Sequence, residues 1–119
     1  MAARRKRGVT PARVARLALS LPGVEEGTSY GTPAWRVSRK LFARLHQNGE
    51  DLVVRVDFDE RELRMRAKPK IFHITDHYAN HEMMLVRLSA VAEADLKELL
   101  EGSWRRCASK RLLARLDAA

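Results

Sequence analysis

The stretch from Ile71 to Leu88 constrains the fold more than any other part of the chain. It contains Met83-Met84-Leu85-Val86, the longest apolar run in the protein. A short apolar run bounded by turn residues is typical of a strand covered on both faces. The sequence therefore predicts two strands, Ile71 to Ile74 and Glu82 to Leu88, joined by a polar turn from Thr75 to His81. We expect this pair to lie at the centre of the fold.

The length and composition of the chain predict one domain with a basic tail. The 119 residues and the 45% hydrophobic content suffice for a single core without disulfides. Residues 1–8 include Arg4-Arg5-Lys6-Arg7, which predicts a flexible basic tail, and residues 9–119 form the domain. The lone Cys107 fits a reducing compartment. Because no signal peptide and no membrane-spanning apolar segment are found, we predict a cytoplasmic protein with no membrane association.

Four helices are predicted, three from apolar spacing and the second from its cap and from Lys68-Pro69, which stops it. Thr10 and Pro11 are typical of a helix cap and first turn, and Pro22-Gly23 is typical of a stop. The third helix should bury a stripe formed by Leu96, Leu99, Leu100, Ser103, Trp104 and Cys107. The predicted helices run from Val9 to Leu21, from Glu60 to Ala67 after the cap Asp59, from Val91 to Cys107, and from Lys110 to Leu116 after the cap Ser109.

The segment between the first two helices predicts a meander of three strands. These strands are Ala34 to Val37, Leu41 to His46 and Leu52 to Val56, and a loop from Val24 to Pro33 precedes them. Asn48-Gly49 favours a tight turn between the second and third strands. With the pair around the apolar run, the sequence predicts an α+β fold, an antiparallel β-sheet of about five strands packed by helices mainly on one face.

Strand alternation also predicts what lies on the opposite face of the sheet. Arginine beside apolar side chains suits contacts with phosphate, carboxylate or bases, but arginine stems also simply cover apolar neighbours. Both interpretations stay open. That face should carry the arginines Arg36, Arg44, Arg55 and Arg87 among the apolar residues Phe42, Val53, Met83 and Leu85.

No complete catalytic or metal motif is found, so we predict neither an enzyme nor a bound cofactor or metal. His73, His77 and His81 are spaced by four, but a strand and a turn do not place them on one helical face as zinc ligands. Asp76, His77 and Tyr78 have no nucleophile beside them in a known motif, so His77 and Tyr78 are expected to bond backbone groups of the turn. Cys107 falls on the buried stripe, which favours packing over reactivity.

Several motifs, in their order along the chain, resemble those of the MmcQ/YjbR family over roughly Thr10 to Leu116. The chain departs from the family pattern at Asp76, Ala92 and Ser109. These three departures affect only helix caps and turns. The matching runs are Leu21-Pro22-Gly23-Val24-Glu25-Glu26, Thr32-Pro33-Ala34-Trp35-Arg36-Val37, Lys40-Leu41-Phe42-Ala43-Arg44-Leu45, Thr75-Asp76-His77-Tyr78, Val86-Arg87-Leu88, and Trp104 followed by Lys110-Arg111-Leu112. The resemblance implies an α+β domain similar to secretion-chaperone-like folds, and a DNA-binding role through a double wing of strands and hairpins.

The net charge of +8 favours a polyanionic partner. We therefore predict a small non-enzymatic module that binds nucleic acid, DNA above all, through phosphate contacts. The alternative is a protein-interaction adaptor or homodimer that uses the apolar residues of the second sheet face. Besides the basic tail, and with Lys68 and Lys70 as possible additions at one edge, the predicted contact residues are Arg36, Arg39, Lys40, Arg44, Arg55, Arg87, Lys110 and Arg111.

Overall fold

The structure, a computed structural model, describes residues 7–118; the tail residues Arg4, Arg5 and Lys6 lie outside this range. The predicted α+β class is confirmed. One six-stranded antiparallel sheet has the strand order β1-β2-β3-β4-β6-β5. The elements are α1 (Pro11–Leu19), β1 (Glu25–Ser29), β2 (Thr32–Val37), β3 (Lys40–Leu45), β4 (Asp51–Arg55), α2 (Phe58–Ala67), β5 (Phe72–His73), β6 (Met83–Arg87), α3 (Glu93–Cys107) and α4 (Lys110–Asp117).

The apolar run forms a strand inside the sheet, but the prediction that its strand pair lies at the centre is wrong: β6 is second from the edge, and the edge strand β5 is only Phe72–His73 instead of Ile71 to Ile74. Strand β6 pairs with β4 on one side and with β5 on the other. Val86 packs into the main core beneath the helices, whereas Leu85 packs on the opposite face, and both are fully buried. A strand with neighbours on both edges and cover on both faces needs apolar residues at successive positions.

The predicted loop before Ala34 is wrong, because Glu25 to Ser29 form the edge strand β1. This strand is mostly exposed and polar, so it lacks the apolar alternation that identifies a strand in a sequence. Its ladder to β2 holds it in place, together with a hydrogen bond of 2.8 Å from Trp35 Nε1 to Glu26 Oε2. The sheet therefore has six strands instead of about five.

Helix caps account for where the helices begin. The side chains of Thr10 and Ser109 accept hydrogen bonds from the backbone nitrogens of Arg13 and Leu112, as predicted. The cap of α2 is Asp57 and not Asp59, since Asp57 Oδ1 accepts from Glu60 N at 2.7 Å and the helix begins at Phe58. The buried residues of α3 are those of the predicted stripe.

Ser103, on the buried stripe of α3, joins two strands of the sheet. Its hydroxyl accepts from the backbone nitrogen of Arg55 at 2.9 Å and donates to the carbonyl oxygen of Phe42 at 2.5 Å. The bridge lies at a β-bulge. Trp35 of β2 pairs with Ala43, but the next residue, Arg36, pairs with Leu41, so Phe42 has no partner on β2. A fully buried hydroxyl thus replaces a missing ladder hydrogen bond between β3 and β4.

Replacing Ser103 with alanine should lower the free energy of unfolding by about 2 kcal/mol, because a buried N–H and a buried carbonyl each lose their partner. Urea unfolding followed by circular dichroism measures this change. The neighbouring Gly102→Ala variant is the matched control, since a Cβ there meets no atom within 4 Å. It should stabilise the helix by up to about 1 kcal/mol. An unchanged midpoint for Ser103→Ala would show that the bridge does not stabilise the sheet.

Candidate functional site

Two basic segments that are far apart in the sequence lie side by side in the structure. Ser38 and Arg39, with φ of 52° and 67°, form the tight turn between β2 and β3. The backbone nitrogen of Ser109 donates to Ser38 Oγ at 3.1 Å, which places the beginning of α4 beside this turn. We call the exposed cations of these two segments the basic turn surface; its members are Arg39, Lys40, Lys110 and Arg111.

The basic turn surface is not neutralised by neighbouring carboxylates. Within residues 7–118, none of its four members forms an ion pair shorter than 4.0 Å. Several other cations of the fold are paired, such as Arg13 with Glu93, Arg66 with Glu62 and Arg106 with Glu82. Other exposed cations of the described residues also lack an ion pair, so the basic turn surface is distinguished by the proximity of its two basic segments and not by being the only unpaired charge; these other cations are Arg7, Arg16, Lys70, Lys97 and Arg115.

Arg36 lies on the same hairpin but is less available. It is half-buried, and its Nη1 donates to the carbonyl oxygen of Thr28 on β1 at 3.2 Å. Together with Arg39, Glu25, Glu26 and Gly27 it lines a shallow cleft of about 280 Å³. The two glutamates reduce the attraction of this cleft for an anion.

The remaining three predicted contact residues are held by the fold. Arg44 is only 4% exposed. Arg55 donates from Nε to the carbonyl oxygen of Leu41 at 2.6 Å. Arg87 Nε lies 3.6 Å from Asp51 Oδ1 on the neighbouring strand. The register places Arg44 and Arg87 on the face opposite α3, as alternation predicts. Arg55 instead reaches α3, because the Leu41 carbonyl that accepts from it also accepts from Cys107 Sγ. The predicted face is therefore not an open cationic surface.

The apolar patch expected on this second face is covered. Val53, Leu85 and Tyr78 form a small buried cluster, with Met83 packed against it. Phe42 is not part of the face at all, because the bulge turns it into the main core, where it is 1% exposed. The predicted docking patch for a protein partner is therefore wrong in both membership and exposure.

Arg61 of α2 holds the cover of this face in place, a role that the sequence did not indicate. Its guanidinium lies 2.7 to 3.1 Å from four carbonyl oxygens of the turn between β5 and β6 and of the first residue of β6. Three of them surround Nη1, whose two N–H groups are therefore shared, and the fourth accepts from Nη2. An arginine has five donors in a fixed planar arrangement, so one side chain satisfies a turn that has few partners of its own. The acceptors are the carbonyl groups of Tyr78, Ala79, His81 and Met83.

The buried carboxylate of Asp51 organises the N-terminal end of β4. Asp51 is fully buried, and its Oδ1 lies 3.0 Å from His73 Nε2 while its Oδ2 accepts from Asn48 Nδ2 at 2.6 Å. Burial alone would raise the pKa of Asp51, but the hydrogen bonds from His73 and Asn48 and the charges of His73 and Arg87 outweigh it. The net result is a pKa below the ordinary value, so the carboxylate stays ionised.

Of the other histidines, His77 and His81 lie side by side, with ring centroids 5.9 Å apart. Within the described part of the chain, no three metal-ligating side chains cluster. The sequence predicts that the Tyr78 hydroxyl bonds backbone groups of the turn. In the structure it instead accepts a hydrogen bond from Arg44 Nη2 at 3.0 Å. Cys107 is buried, and burial raises the pKa of its thiol despite the nearby charges of Arg55, Lys40 and Arg106. A thiol with a raised pKa is a poor nucleophile at neutral pH.

These features define a class of small α+β protein, with helices on one face of an antiparallel sheet and a cationic turn at one end. The chain belongs to the YjbR family, whose model matches residues 19–106. Its fold is similar to that of the Deinococcus radiodurans protein DR2400, which has a DUF419 domain, with a TM-score of 0.67 and 24% identity. The similarity covers 80% of this chain and 75% of that one. No curated protein matches the sequence. Within residues 7–118, no helix is long and apolar enough to cross a membrane.

Proposed function

We propose that this protein is a non-enzymatic module that binds nucleic acid, DNA above all, and acts in the cytoplasm. The basic turn surface carries the proposal, because four exposed cations from two distant segments meet there without carboxylate partners. Lysine and arginine arranged in this way bind phosphates and release counterions, which gives affinity without sequence readout. In this proposal the β1–β2 and β2–β3 hairpins form the double wing, and the second hairpin makes the phosphate contacts.

The adaptor alternative loses the observation that favoured it, since the apolar residues of the second face are buried. The exposed large apolar side chains in the described residues are Leu19, Tyr30, Phe58 and Leu63. Single exposed apolar residues are ordinary on protein surfaces and do not indicate a partner.

The test is fluorescence anisotropy with a labelled DNA duplex over a range of salt concentrations, using the full chain. We expect the double variant Arg39→Gln/Lys110→Gln to bind more weakly. The slope of log K against log salt should fall by about two, one for each lost phosphate contact. The charge-matched control is Arg16→Gln/Lys97→Gln, which removes two exposed cations from the helices α1 and α3.

Two outcomes would contradict the proposal. Binding that does not respond to salt excludes the electrostatic mechanism. Equal losses in the double variant and its control show that net charge, and not the basic turn surface, drives binding. A chain without residues 1–6 separates the contribution of the tail, since Gly8 and Val9 remain anchored by hydrogen bonds to Val91 and Leu88.

A further inference from the structure

A second cationic site lies at the other end of the β2 and β3 strands. The turn between β1 and β2, Tyr30-Gly31, and the turn between β2 and β3 lie at opposite ends of β2. Beside the first of these turns is a cavity of about 200 Å³, which we call the Arg44 pocket. It is separate from the basic turn surface. Its lining residues are Tyr30, Arg44, His46, Gln47, His77 and Tyr78.

Arg44 is a buried charge without a counter-charge. It is 4% exposed, and no carboxylate among residues 7–118 lies within 4.0 Å of its guanidinium. Its acceptors are all neutral: Thr32 Oγ1, the carbonyl oxygen of Leu45, Gln47 Oε1 and the Tyr78 hydroxyl, at 3.0 to 3.2 Å. A buried cation normally lies beside an anion, because neutral partners do not replace its lost hydration.

The guanidinium has room for an external acceptor. Its Nε has no hydrogen-bond partner within the described residues. Gln47, which accepts from Nη2, is an exposed side chain, so one rotation exchanges its oxygen for that of a ligand. An oxyanion bound there gains charge-assisted hydrogen bonds from the arginine.

Two imidazoles add donors at the rim of the pocket. His46 Nδ1 accepts from the backbone nitrogen of Asn48 at 3.3 Å, so in the neutral ring the proton is on Nε2, which is then a donor. His77 is exposed, and its ring nitrogens have no partner among residues 7–118. Its ring packs edge-to-face on Tyr78, with centroids 4.7 Å apart. A phosphate, with three oxygens, uses several such donors, whereas a carboxylate is satisfied by one arginine.

Tyr30 supplies a flat apolar surface at the mouth. It is 80% exposed, and the Arg44 Cζ atom lies 5.2 Å from its ring centroid. Its φ of 53° is in the left-handed region, which a bulky aromatic residue rarely adopts and where asparagine or glycine is usual. The two-residue turn requires this φ, as at Ser38-Arg39, but it does not account for an exposed aromatic side chain there. A base or another flat ring stacks on such a side chain.

We propose that the Arg44 pocket binds the phosphate group of a nucleotide, with Tyr30 stacking on its base. The cavity holds the phosphate and part of the sugar, and the base lies outside against the exposed ring. The nucleotide is either free or the 5′-phosphorylated end of a strand, and both sources present the same chemistry.

The test is isothermal titration calorimetry of the full chain with adenosine 5′-monophosphate, inorganic phosphate, benzoate and adenosine. We expect saturable binding of the monophosphate, weaker binding of inorganic phosphate, and none of adenosine or benzoate. Tyr30→Asn, which suits the backbone at this turn, should weaken nucleotide binding about tenfold and leave inorganic phosphate unchanged. His77→Gln should weaken both. Arg16→Gln, which removes an exposed cation of α1 outside both proposed sites, is the control and should change neither.

A 5′-phosphorylated single strand and the same strand with a 5′-hydroxyl distinguish the two sources. Preference for the phosphorylated strand, lost in Tyr30→Asn, identifies a strand end, whereas binding of the mononucleotide alone identifies a free nucleotide. No saturable binding of either phosphorylated probe overturns the proposal, as does binding that both Tyr30→Asn and His77→Gln leave unchanged. Neither variant removes a member of the basic turn surface. The absence of nucleotide binding would therefore leave the duplex-binding proposal standing, and the absence of duplex binding would leave the nucleotide proposal standing.

Discussion

Replacing Asp51 with alanine is expected to lower the free energy of unfolding by about 3 kcal/mol. The substitution leaves Arg87 and His73 without the carboxylate between them, in a part of the sheet where Asp51 itself is fully buried. Removing one partner of a buried charge network is strongly destabilising, because the remaining charge keeps its desolvation penalty. Arg87 and His73 are partly exposed, with 40% and 27% of their side chains accessible, which keeps the effect at the lower end of the usual range.

Urea unfolding at neutral pH measures this loss. Asp59→Ala is the matched control, since Asp59 is an exposed carboxylate in the first turn of α2 and its removal should change stability by no more than about 0.5 kcal/mol. Similar losses in the two variants would show that the Asp51 network does not stabilise the fold.

The Asp51 carboxylate should also make the free energy of unfolding depend on pH. The pKa of Asp51 is lower in the folded chain than its ordinary value of 3.8. Its contribution is therefore fully present above pH 3.8 and is lost as the pH falls through the lower, folded-state pKa. The exposed carboxyls of Glu93 and Asp117 also have lowered pKa values, through hydrogen bonds from Arg13 and Arg105. Comparison with Asp51→Asn isolates the part that belongs to Asp51, and the variant should lose less stability on acidification than the native chain.

Replacing Trp104 with alanine should have the largest effect on stability, a loss of about 4 kcal/mol. Trp104 lies on the buried stripe of α3, is fully buried in the main core, and donates from Nε1 to the carbonyl oxygen of Pro22 at 2.9 Å. The substitution opens a large cavity in the main core and leaves that carbonyl without its donor. Such a loss is a large fraction of the stability of a small domain.

The remaining tryptophan makes the measurement direct. The chain has two tryptophans, so in Trp104→Ala the fluorescence of Trp35 alone reports unfolding in denaturant. Leu63→Ala is the control, because Leu63 is an apolar residue of α2 that is 65% exposed, and its truncation should change the midpoint little. A Trp104→Ala midpoint close to that of Leu63→Ala would contradict the position of Trp104 in the core.

The cationic surface was only partly predictable from the sequence. The exposed residues Arg39, Lys40, Lys110 and Arg111 were all predicted to contact phosphate, because basic residues at turns and helix starts are visible without a structure. Their proximity depends on the hydrogen bond between Ser38 and Ser109, which are 71 positions apart, and no local pattern encodes it. Arg44 was identified as an exposed contact by alternation alone, whereas its burial follows from the turn that carries Tyr78 across the sheet.

By itself, the sequence determined the helices, two of their three side-chain caps, the buried stripe of α3 and the apolar strand β6, although not its place in the strand order. These features depend on spacing and capping within a few residues, where local chemistry decides the conformation. Only the tertiary structure decided the edge strand β1, the inward turn of Phe42, the Asp51 network and the pocket around Arg44. Each of these depends on which distant segments meet, since a polar edge strand, a bulge or a buried charge is stable only with partners that the local sequence does not specify.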